Sequence, residues 1–278
     1  MDILNLKKPN RIIKALQNIG FYNQSNLFWS WYEPRNFGDW VGPYLYKAMT
    51  GKKPLYCEPT MKPGCEYYMA AGSILRKITQ ENNAIVWGSG IISRNDVFAK
   101  PLDIKAVRGP YSMQRCLDLG YDCPEVFGDP ALLLPEYYAP EAVKVYRLGI
   151  IPHFVDYDDV VKKYGSQPDT LIIDVAQPVE KVIDDIRSCD ATVSSSLHGL
   201  IISHVYGIDC AWVQFSDRLE GDDTKFLDYL AAGGIVEKIS AQIPTVTTNS
   251  VDFLHMAHDA PMPDNNKLTY ALKRACPF

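Results

Sequence analysis

The sequence predicts an α/β protein made of two domains, each with a parallel sheet and flanking helices. Short apolar runs rich in β-branched residues alternate with stretches of helical periodicity along most of the chain, which is the pattern of repeated βαβ units. Prolines and tyrosines interrupt this alternation at residues 135–140, a composition typical of a connector between domains. We therefore predict an N-terminal domain at residues 1–138 and a C-terminal domain at residues 139–278, with a cleft between them.

The composition is that of an ordinary globular protein and argues against several functional classes. The 278 residues are 47% hydrophobic, enough to bury a sizeable core. A net charge of −5 with scattered lysines and arginines argues against a nucleic-acid partner, which requires clustered basic residues. Seven cysteines without a CxxC pair or a matching histidine spacing favour reduced thiols over a disulfide framework or a zinc site. We expect no metal and no bound cofactor.

No stretch of the sequence predicts passage into or across a membrane. The apolar runs are too short to span a bilayer, and the first residues lack the apolar core of a signal peptide, so we expect a cytoplasmic protein. Residues 7–19 combine an apolar face with lysines and an arginine, a pattern that suits a helix lying on anionic lipid. The same pattern suits a helix packed on the protein itself. A peripheral contact with the inner membrane is therefore one of two interpretations.

In the N-terminal domain, each predicted strand ends at glycine or polar residues. Strands are predicted at residues 26–32, 67–71, 84–87 and 104–107, and helices at residues 40–49 and 111–119. Ligands of parallel α/β sheets collect outside the carboxyl ends of the strands. We therefore expect one crevice to receive the residues that follow the strands, namely Asn36, Asp39, Gly72, Ser73, Ser89 and Arg108. Each glycine has the alternative explanation of a tight turn with positive φ.

The C-terminal domain repeats the same alternation. Strands are predicted at residues 147–151, 170–174, 191–194 and 210–215, and helices at residues 157–164, 179–188, 197–206 and 224–231. His153 follows the first of these strands at its carboxyl end, so it is expected to face the crevice. A further helical pattern begins at Asp264 and could carry the tail back onto the N-terminal domain.

The stretch from Val193 to His204 holds the strongest candidate for chemistry. An apolar strand leads into three serines and His198, and helical spacing of apolar residues resumes at Leu197. Serines at such a corner cap the helix, whose first N–H groups then point at whatever lies in front of it. An anion with an acid/base histidine beside it would fit this arrangement. The alternative is a serine cap with a histidine that only satisfies a buried carbonyl.

This corner resembles the C-terminal signature of the polysaccharide pyruvyl transferase family, and further motifs of that family follow one another in the same order along the chain. They are Asn36-Phe37-Gly38-Asp39, Ala71-Gly72-Ser73, Gly88-Ser89-Gly90, Val107-Arg108-Gly109-Pro110-Tyr111-Ser112, Phe127-Gly128-Asp129-Pro130-Ala131-Leu132 and Lys225-Phe226-Leu227-Asp228. The resemblance implies a GT-B-like fold, in which two Rossmann-like domains face a central cleft. It places the acceptor on the N-terminal domain and the donor on the C-terminal domain.

The resemblance also implies the reaction, in which phosphoenolpyruvate gives its pyruvyl carbons to two hydroxyls of a sugar, leaving a pyruvate ketal and phosphate. The donor carries a carboxylate and a phosphate, which a guanidinium and a helix N-terminus bind well. We assign binding of the donor to Arg108, Ser194, Ser195, Ser196 and Leu197. We assign the transfer of protons to His198. The expected acceptor is a sugar of a lipid-linked oligosaccharide from a bacterial surface polysaccharide, bound by Asn36, Asp39, Gly72, Ser73, Ser89 and His153.

Two carboxylates are candidates to stabilise the oxocarbenium-like centre left when phosphate departs, namely Asp39 and Asp129. Asp129 precedes Pro130, so a capping or turn role explains it equally well.

The chain departs from the family pattern at one position. The family often has an arginine two residues before the corner histidine, where this chain has Ser196. Lys225 matches a lysine that often occurs in the family, and we expect it to supply the missing cation. The alternative for Lys225 is a solvated lysine on a helix surface.

Two other functions stay open at this point. One is a glycosyltransferase of GT-B fold that binds a sugar nucleotide at the same helix N-terminus, and the other is a glycan-binding relative without catalysis. The sequence does not name the sugar, the pair of hydroxyls, the ketal stereochemistry or the oligomeric state.

Overall fold

The computed structural model describes residues 26–29, 36–57, 66–81, 83–239 and 250–278. In the N-terminal half, the elements are β1 (Asn26–Phe28), α1 (Phe37–Thr50), β2 (Leu55–Tyr56), β3 (Tyr67–Met69), β4 (Ala84–Trp87), β5 (Asp103–Ala106), α2 (Pro110–Asp118) and a short α3 (Leu134–Tyr137). The five strands pair in parallel in the order β2-β1-β3-β4-β5. The predicted amphipathic helix at residues 7–19 lies outside the described residues.

The C-terminal half forms a second parallel sheet. Its elements are β6 (Tyr146–Ile151), α4 (Tyr157–Tyr164), β7 (Thr170–Ile172), α5 (Val179–Arg187), β8 (Cys189–Ser194), α6 (Leu197–Val205), β9 (Asp209–Trp212), α7 (Thr224–Ala232), α8 (Val236–Ile239), α9 (Ser250–Asp259) and α10 (Asn266–Arg274). The strand order is β7-β6-β8-β9, so the chain changes its direction across the sheet between β6 and β8. Ligands of open α/β sheets bind outside the carboxyl ends of the strands at such a point.

The mixed α/β class with two parallel sheets is confirmed, and most element bounds differ from prediction by one or two residues. Helix α1 begins three residues earlier than predicted, because the Asn36 side chain accepts a hydrogen bond from the Gly38 N–H (3.1 Å) and caps it. Strand β7 ends two residues early, because Asp174 accepts a hydrogen bond from the Ala176 N–H (2.8 Å) and turns the chain. Strand β2 and helices α3, α8 and α9 were not predicted.

One hydrophobic core extends through both halves of the protein. Buried side chains from the first sheet, such as Leu27 and Val86, belong to the same cluster as Ile183, Leu200 and Phe226 from helices α5, α6 and α7. A smaller cluster packs helix α9 against the other face of the second sheet. The two halves therefore meet over shared apolar contacts as well as at the predicted crevice. None of the helices in the described part of the chain combines the length and apolarity needed to span a membrane.

The C-terminal tail returns to the N-terminal sheet. The Trp87 indole N–H of β4 donates a hydrogen bond to the carbonyl oxygen of Leu272 in α10 (2.8 Å). The ring of Phe278 lies against the rings of Trp87 and Tyr46, with centroid distances of 5.2 and 4.9 Å. The tail thus packs against the N-terminal sheet and helix α1.

A fully buried ion pair joins the two halves. Arg108 follows β5 in the first half, and its Nη2 lies 3.1 Å from Oδ2 of Asp228, on α7 of the second half. Both side chains are 0% exposed. Asp228 also accepts hydrogen bonds at Oδ1 from the backbone N–H groups of Tyr111 (2.8 Å) and Ser112 (3.0 Å), so it caps helix α2 from across the junction.

We predict that Asp228→Asn lowers the free energy of unfolding by about 3–5 kcal/mol, because the change leaves the buried Arg108 cation without its counter-charge. Chemical denaturation followed by circular dichroism measures this loss. The matched control is Asp185→Asn, which removes the partner of Lys181 in a surface pair and should cost about 0–1 kcal/mol. Equal losses in the two variants would show that the Arg108–Asp228 pair does not hold the halves together.

Candidate functional site

The three serines of the predicted corner form its scaffold. Ser194 Oγ accepts a hydrogen bond from the Ser196 N–H (3.0 Å), Ser195 Oγ accepts one from the His153 N–H (2.9 Å), and Ser196 Oγ accepts one from the Gly199 N–H (3.4 Å). The serines are at most 2% exposed. The prediction that these hydroxyls bind the donor directly therefore does not fit, because each is buried and committed to the backbone. Their effect is to shape the turn from β8 into α6.

The N-terminus of helix α6 presents two free backbone donors. The Leu197 and His198 N–H groups are the first two of the helix and have no acceptor among the residues that the structure describes. Such N–H groups, together with the helix dipole of about half a charge, favour an anion in front of the helix. The predicted donor contact of Leu197 would therefore be made by its backbone N–H, since its side chain is only 6% exposed.

His198 lies between the two halves and faces a carboxylate of the first half. Its Nε2 is 3.5 Å from Asp129 Oδ2, and both atoms are buried without another hydrogen-bond partner among the described residues. The other oxygen of Asp129 accepts a hydrogen bond from the Ala131 N–H (2.9 Å). One oxygen of Asp129 thus caps the turn and the other faces the histidine, while its stabilisation of an oxocarbenium-like centre stays a prediction. A carboxylate in this position fixes the ring orientation of a histidine.

Helix α1 packs against the other side of the His198 ring. The ring of Phe37 lies edge-on to the His198 ring at 6.2 Å between centroids. A methyl group at Gly38 would lie 2.1 Å from His198 Nδ1, so only glycine permits this approach. The Phe37 N–H donates to the carbonyl oxygen of Val175 (2.8 Å), which ties the start of α1 to the second half.

Asp39 lies in the first turn of α1, near His198. Burial raises the pKa of this carboxyl from 3.8 to about 7, while the nearby His198 acts in the opposite direction. Asn36 caps the same helix through its side-chain oxygen, so its predicted acceptor contact would compete with a structural hydrogen bond. Asp39 is the group of this turn that keeps a side chain available for a ligand.

Lys225 is a buried cation without a close counter-charge. It is 9% exposed, lies in the first turn of α7, and has no carboxylate within ion-pair distance in the described part of the chain. Burial, followed by the charge of Arg108, lowers its pKa to about 8, while the charges of Asp223 and Glu220 act in the opposite direction. The acidic residues just before it are engaged elsewhere, since Glu220 pairs with Arg76 (2.6 Å) and Asp222 accepts from the Arg94 N–H (3.1 Å).

His153 lies near Lys225 in the crevice. Burial, followed by the nearby charge of Lys225, lowers its pKa to about 4, so the ring is neutral at pH 7. Its backbone N–H is bound to the Ser195 hydroxyl, which links the loop after β6 to the turn after β8. His153 therefore lies nearer to the predicted donor residues than to the N-terminal residues with which it was grouped as an acceptor ligand.

Arg108 does not fit its predicted role as a direct donor ligand. Its guanidinium is 0% exposed and is held by Asp228, by the Ser73 hydroxyl (2.6 Å) and by the Ile91 carbonyl (2.6 Å). A methyl group at Gly90 would lie 2.4 Å from Arg108 Cζ, so the glycine provides the room for the guanidinium. Arg108 is therefore a structural cation. Its charge still acts on Lys225, whose pKa it lowers.

The glycine and serine turns of the first half form the socket of this arginine. Ser73 accepts the hydrogen bond from Arg108, and Ser89 is 0% exposed and donates its hydroxyl hydrogen to the Ala70 carbonyl. Gly72 has a left-handed backbone (φ 114°) and accepts a hydrogen bond from the Gly90 N–H (3.0 Å). The predicted acceptor contacts of Gly72, Ser73 and Ser89 therefore do not fit, because these residues hold the junction.

The structure thus assembles a smaller site than the sequence predicted. It brings together His198, Asp129 and Asp39 at the start of α6, whose first two N–H groups have no acceptor among the described residues, and it places Lys225 near His153. This set can hold an anion and move protons next to it. The pairing of Asp129 with His198 was not predicted, because no sequence spacing relates residues from two different halves. In the described part of the chain, no group of three His, Cys, Asp or Glu side chains could hold a metal ion.

Comparisons with known proteins point to one family. The sequence model of the polysaccharide pyruvyl transferase family matches residues 11–216. An uncharacterised protein of Acanthamoeba polyphaga mimivirus is 28% identical over 199 residues, which are 69% of this chain and 69% of that protein. A crystal structure of a functionally uncharacterised protein from Klebsiella pneumoniae covers 86% of this chain and 100% of its own, with 13% identity and a TM-score of 0.48.

The raised pKa of Asp39 predicts a pH-dependent term in stability. The native state keeps the Asp39 proton up to about pH 7, whereas the unfolded chain releases it near its ordinary value of 3.8. This contribution is therefore fully present below pH 3.8 and is lost as the pH rises to about 7. Relative to Asp39→Asn, the wild-type protein should lose stability between about pH 4 and pH 7 and change little above that range, as measured by urea denaturation at several pH values.

The control for this prediction is Asp190→Asn, which changes an exposed carboxyl on β8. The stability difference between that variant and the wild type should stay constant over the same pH range. A constant difference for Asp39→Asn as well would mean that the Asp39 carboxyl titrates normally.

Proposed function

The chain belongs to the polysaccharide pyruvyl transferase family, and we propose that it transfers the pyruvyl group of phosphoenolpyruvate to two hydroxyls of one sugar. The products are a pyruvate ketal and inorganic phosphate. The observation that carries the proposal is Lys225, a buried cation without an ion-pair partner among the described residues. It belongs to the same crevice as His198 at the start of α6. This arrangement suits a small, highly charged anion whose reaction requires proton transfer.

The donor would be held by charge and by backbone donors. Phosphoenolpyruvate brings close to three negative charges, of which the helix N-terminus balances about half a charge. Arg108 contributes little of the rest, because Asp228 neutralises it. Lys225 is thus the principal cation at the site. The Leu197 and His198 N–H groups would bind one of the two anionic groups of the donor.

His198 would move the protons. A sugar hydroxyl adds to C2 of the donor while a proton is delivered to C3, and the hydroxyl loses its own proton to a base. Asp129 would orient the ring and stabilise its charged form, since its free oxygen lies 3.5 Å from Nε2. When phosphate leaves, a second hydroxyl of the same sugar closes the ketal and releases its proton. Asp39, which titrates near neutrality, is placed to bind an acceptor hydroxyl or to take this second proton.

We further propose that the acceptor is a lipid-linked oligosaccharide unit at the cytoplasmic face of a membrane. The support for this acceptor is the family itself, which is named for polysaccharides, and the sequence of residues 7–19, which suits a helix on anionic lipid.

The decisive experiment incubates the protein with phosphoenolpyruvate and candidate glycans, and follows the release of phosphate together with the methyl signal of a pyruvate ketal by NMR. A ketal signal supports the proposal. Consumption of a sugar nucleotide without any effect of phosphoenolpyruvate would identify a glycosyltransferase instead. Binding of glycans with neither reaction would identify a non-catalytic relative.

We predict that His198→Gln lowers kcat by about 10²- to 10⁴-fold while the far-UV circular dichroism spectrum is unchanged, because a positioned acid/base contributes that much to the rate. The control is His258→Gln, which alters an exposed histidine paired with Asp209 on the surface. It should leave kcat unchanged. A near wild-type rate for His198→Gln would exclude this histidine from the chemistry.

We predict that Lys225→Ala raises the donor KM or lowers kcat by at least about tenfold, the effect of losing one charged contact. Adding Ser196→Arg to this variant should restore part of the loss, if both positions address the same anion. Lys181→Ala, a change of the same charge on an exposed lysine, provides the control. Wild-type kinetics for Lys225→Ala would leave the donor without its expected cation.

A further inference from the structure

We propose that a cavity beside the loop after β6 is a binding subsite for a neutral sugar ring, which holds a second residue of the acceptor glycan. The cavity has a volume of about 240 Å³ and lies between helix α4 and the chain that follows β9. Its lining residues are Asp156, Asp159, Val160, Lys163, Tyr164, Phe215, Ser216, Asp217 and Arg218. The identity of the ligand as part of an acceptor rests on the proposed function.

A buried carboxylate with a spare oxygen lies in the wall of this cavity. Asp156 is 1% exposed, and its Oδ1 accepts hydrogen bonds from the Ser216 hydroxyl (2.6 Å) and from Arg218 Nη2 (2.7 Å). Its Oδ2 has no partner among the described residues. Burying an unsatisfied carboxylate oxygen costs free energy, so a hydroxyl group that donates to it would be bound favourably.

Arg218 supplies donors to the same cavity. Its Nη2 is shared between Asp156 and Asp159 (2.8 Å), and its Nε donates to the Ser216 hydroxyl (3.2 Å). The Nη1 group has no acceptor in the described part of the chain. The two carboxylates hold the guanidinium in a fixed orientation, which leaves Nη1 as a positioned donor.

Aromatic and apolar side chains complete the wall. Tyr164 and Phe215 lie at 6.3 Å between ring centroids, and Phe215 is partly exposed while Tyr164 is buried. The apolar face of a sugar ring packs on such rings, while its hydroxyls bind the charged groups around them.

The balance of charge selects the class of ligand. Three carboxylates and two cations line the cavity, so an anion would face Asp156, Asp159 and Asp217, and a cation would face Lys163 and Arg218. A neutral polyhydroxylated ring uses both kinds of group, because each hydroxyl donates and accepts.

The location connects the cavity to the proposed reaction site. Asp156 ends the short turn that begins at His153, and His153 is bound to the Ser195 hydroxyl at the corner before α6. The charge of Asp156 also acts on His153. A glycan with its reacting sugar at His198 could therefore extend along this loop and place a neighbouring sugar in the cavity.

Saturation-transfer NMR on the full chain without phosphoenolpyruvate tests the proposal. The probes are methyl β-D-galactopyranoside, methyl β-D-glucopyranoside, methyl α-D-mannopyranoside, lactose and cellobiose, with inorganic phosphate as the anionic comparison. At least one neutral probe should receive saturation, and its affinity should fall about tenfold or more in Arg218→Gln and in Phe215→Ala. Lys162→Gln, on the same helix but outside the lining, should bind like the wild type.

If Phe215→Ala fails to fold, Lys163→Gln replaces it, because this lysine lines the cavity and has a large exposed surface. Saturation of none of the neutral probes, or equal saturation in Arg218→Gln and Lys162→Gln, overturns the proposal, as does binding of phosphate alone. His198→Gln should bind the probes like the wild type. Loss of ketal formation therefore tests the proposed reaction, and loss of probe binding tests the subsite.

Discussion

The arrangement of this protein depends on one buried ion pair between Arg108 and Asp228. Each of these side chains comes from a different half of the chain, and neither is exposed to solvent. A buried charge without its partner costs several kcal/mol, so the halves can adopt this relative position only when both residues are in place. The capping of helix α2 by Asp228 adds backbone hydrogen bonds to the same junction. Among the turns around Arg108, Gly90 leaves room for the guanidinium and Ser73 accepts a hydrogen bond from it.

The same ion pair determines the electrostatics of the candidate site. Because Asp228 pairs with Arg108, Lys225 is the buried cation in the described part of the crevice that lacks an ion-pair partner, although the charges of Asp223 and Glu220 act on it. The absence of the family arginine at position 196 makes this lysine more important. A buried lysine and the N-terminus of α6 are the two features that favour an anion, although the chain as a whole is acidic.

The groups proposed to transfer protons also come from both halves. His198 comes from the second half, whereas Asp129, Gly38 and Asp39 come from the first, and the contacts of less than 4 Å around the imidazole form only when the halves pack together. The buried environment that raises the pKa of Asp39 is created by the same contact. Stability of the junction and chemistry at the site are therefore coupled through the same interface.

The sequence by itself determined the α/β class, most of the helices and strands and the corner before α6, because these follow from local periodicity and capping. The roles of His198 and Lys225 stay predictions. It did not determine which polar residues face a ligand. Arg108, Ser73 and Ser89 occur at the carboxyl ends of strands, as ligand residues do, yet Arg108 pairs with Asp228 of the second half, while Ser73 and Ser89 hydrogen-bond within the first half. Only the tertiary structure decided this, because the partners Asp228 and Asp129 lie about 120 and 70 residues away in sequence from Arg108 and His198, and such long-range pairs leave no local pattern in a single sequence.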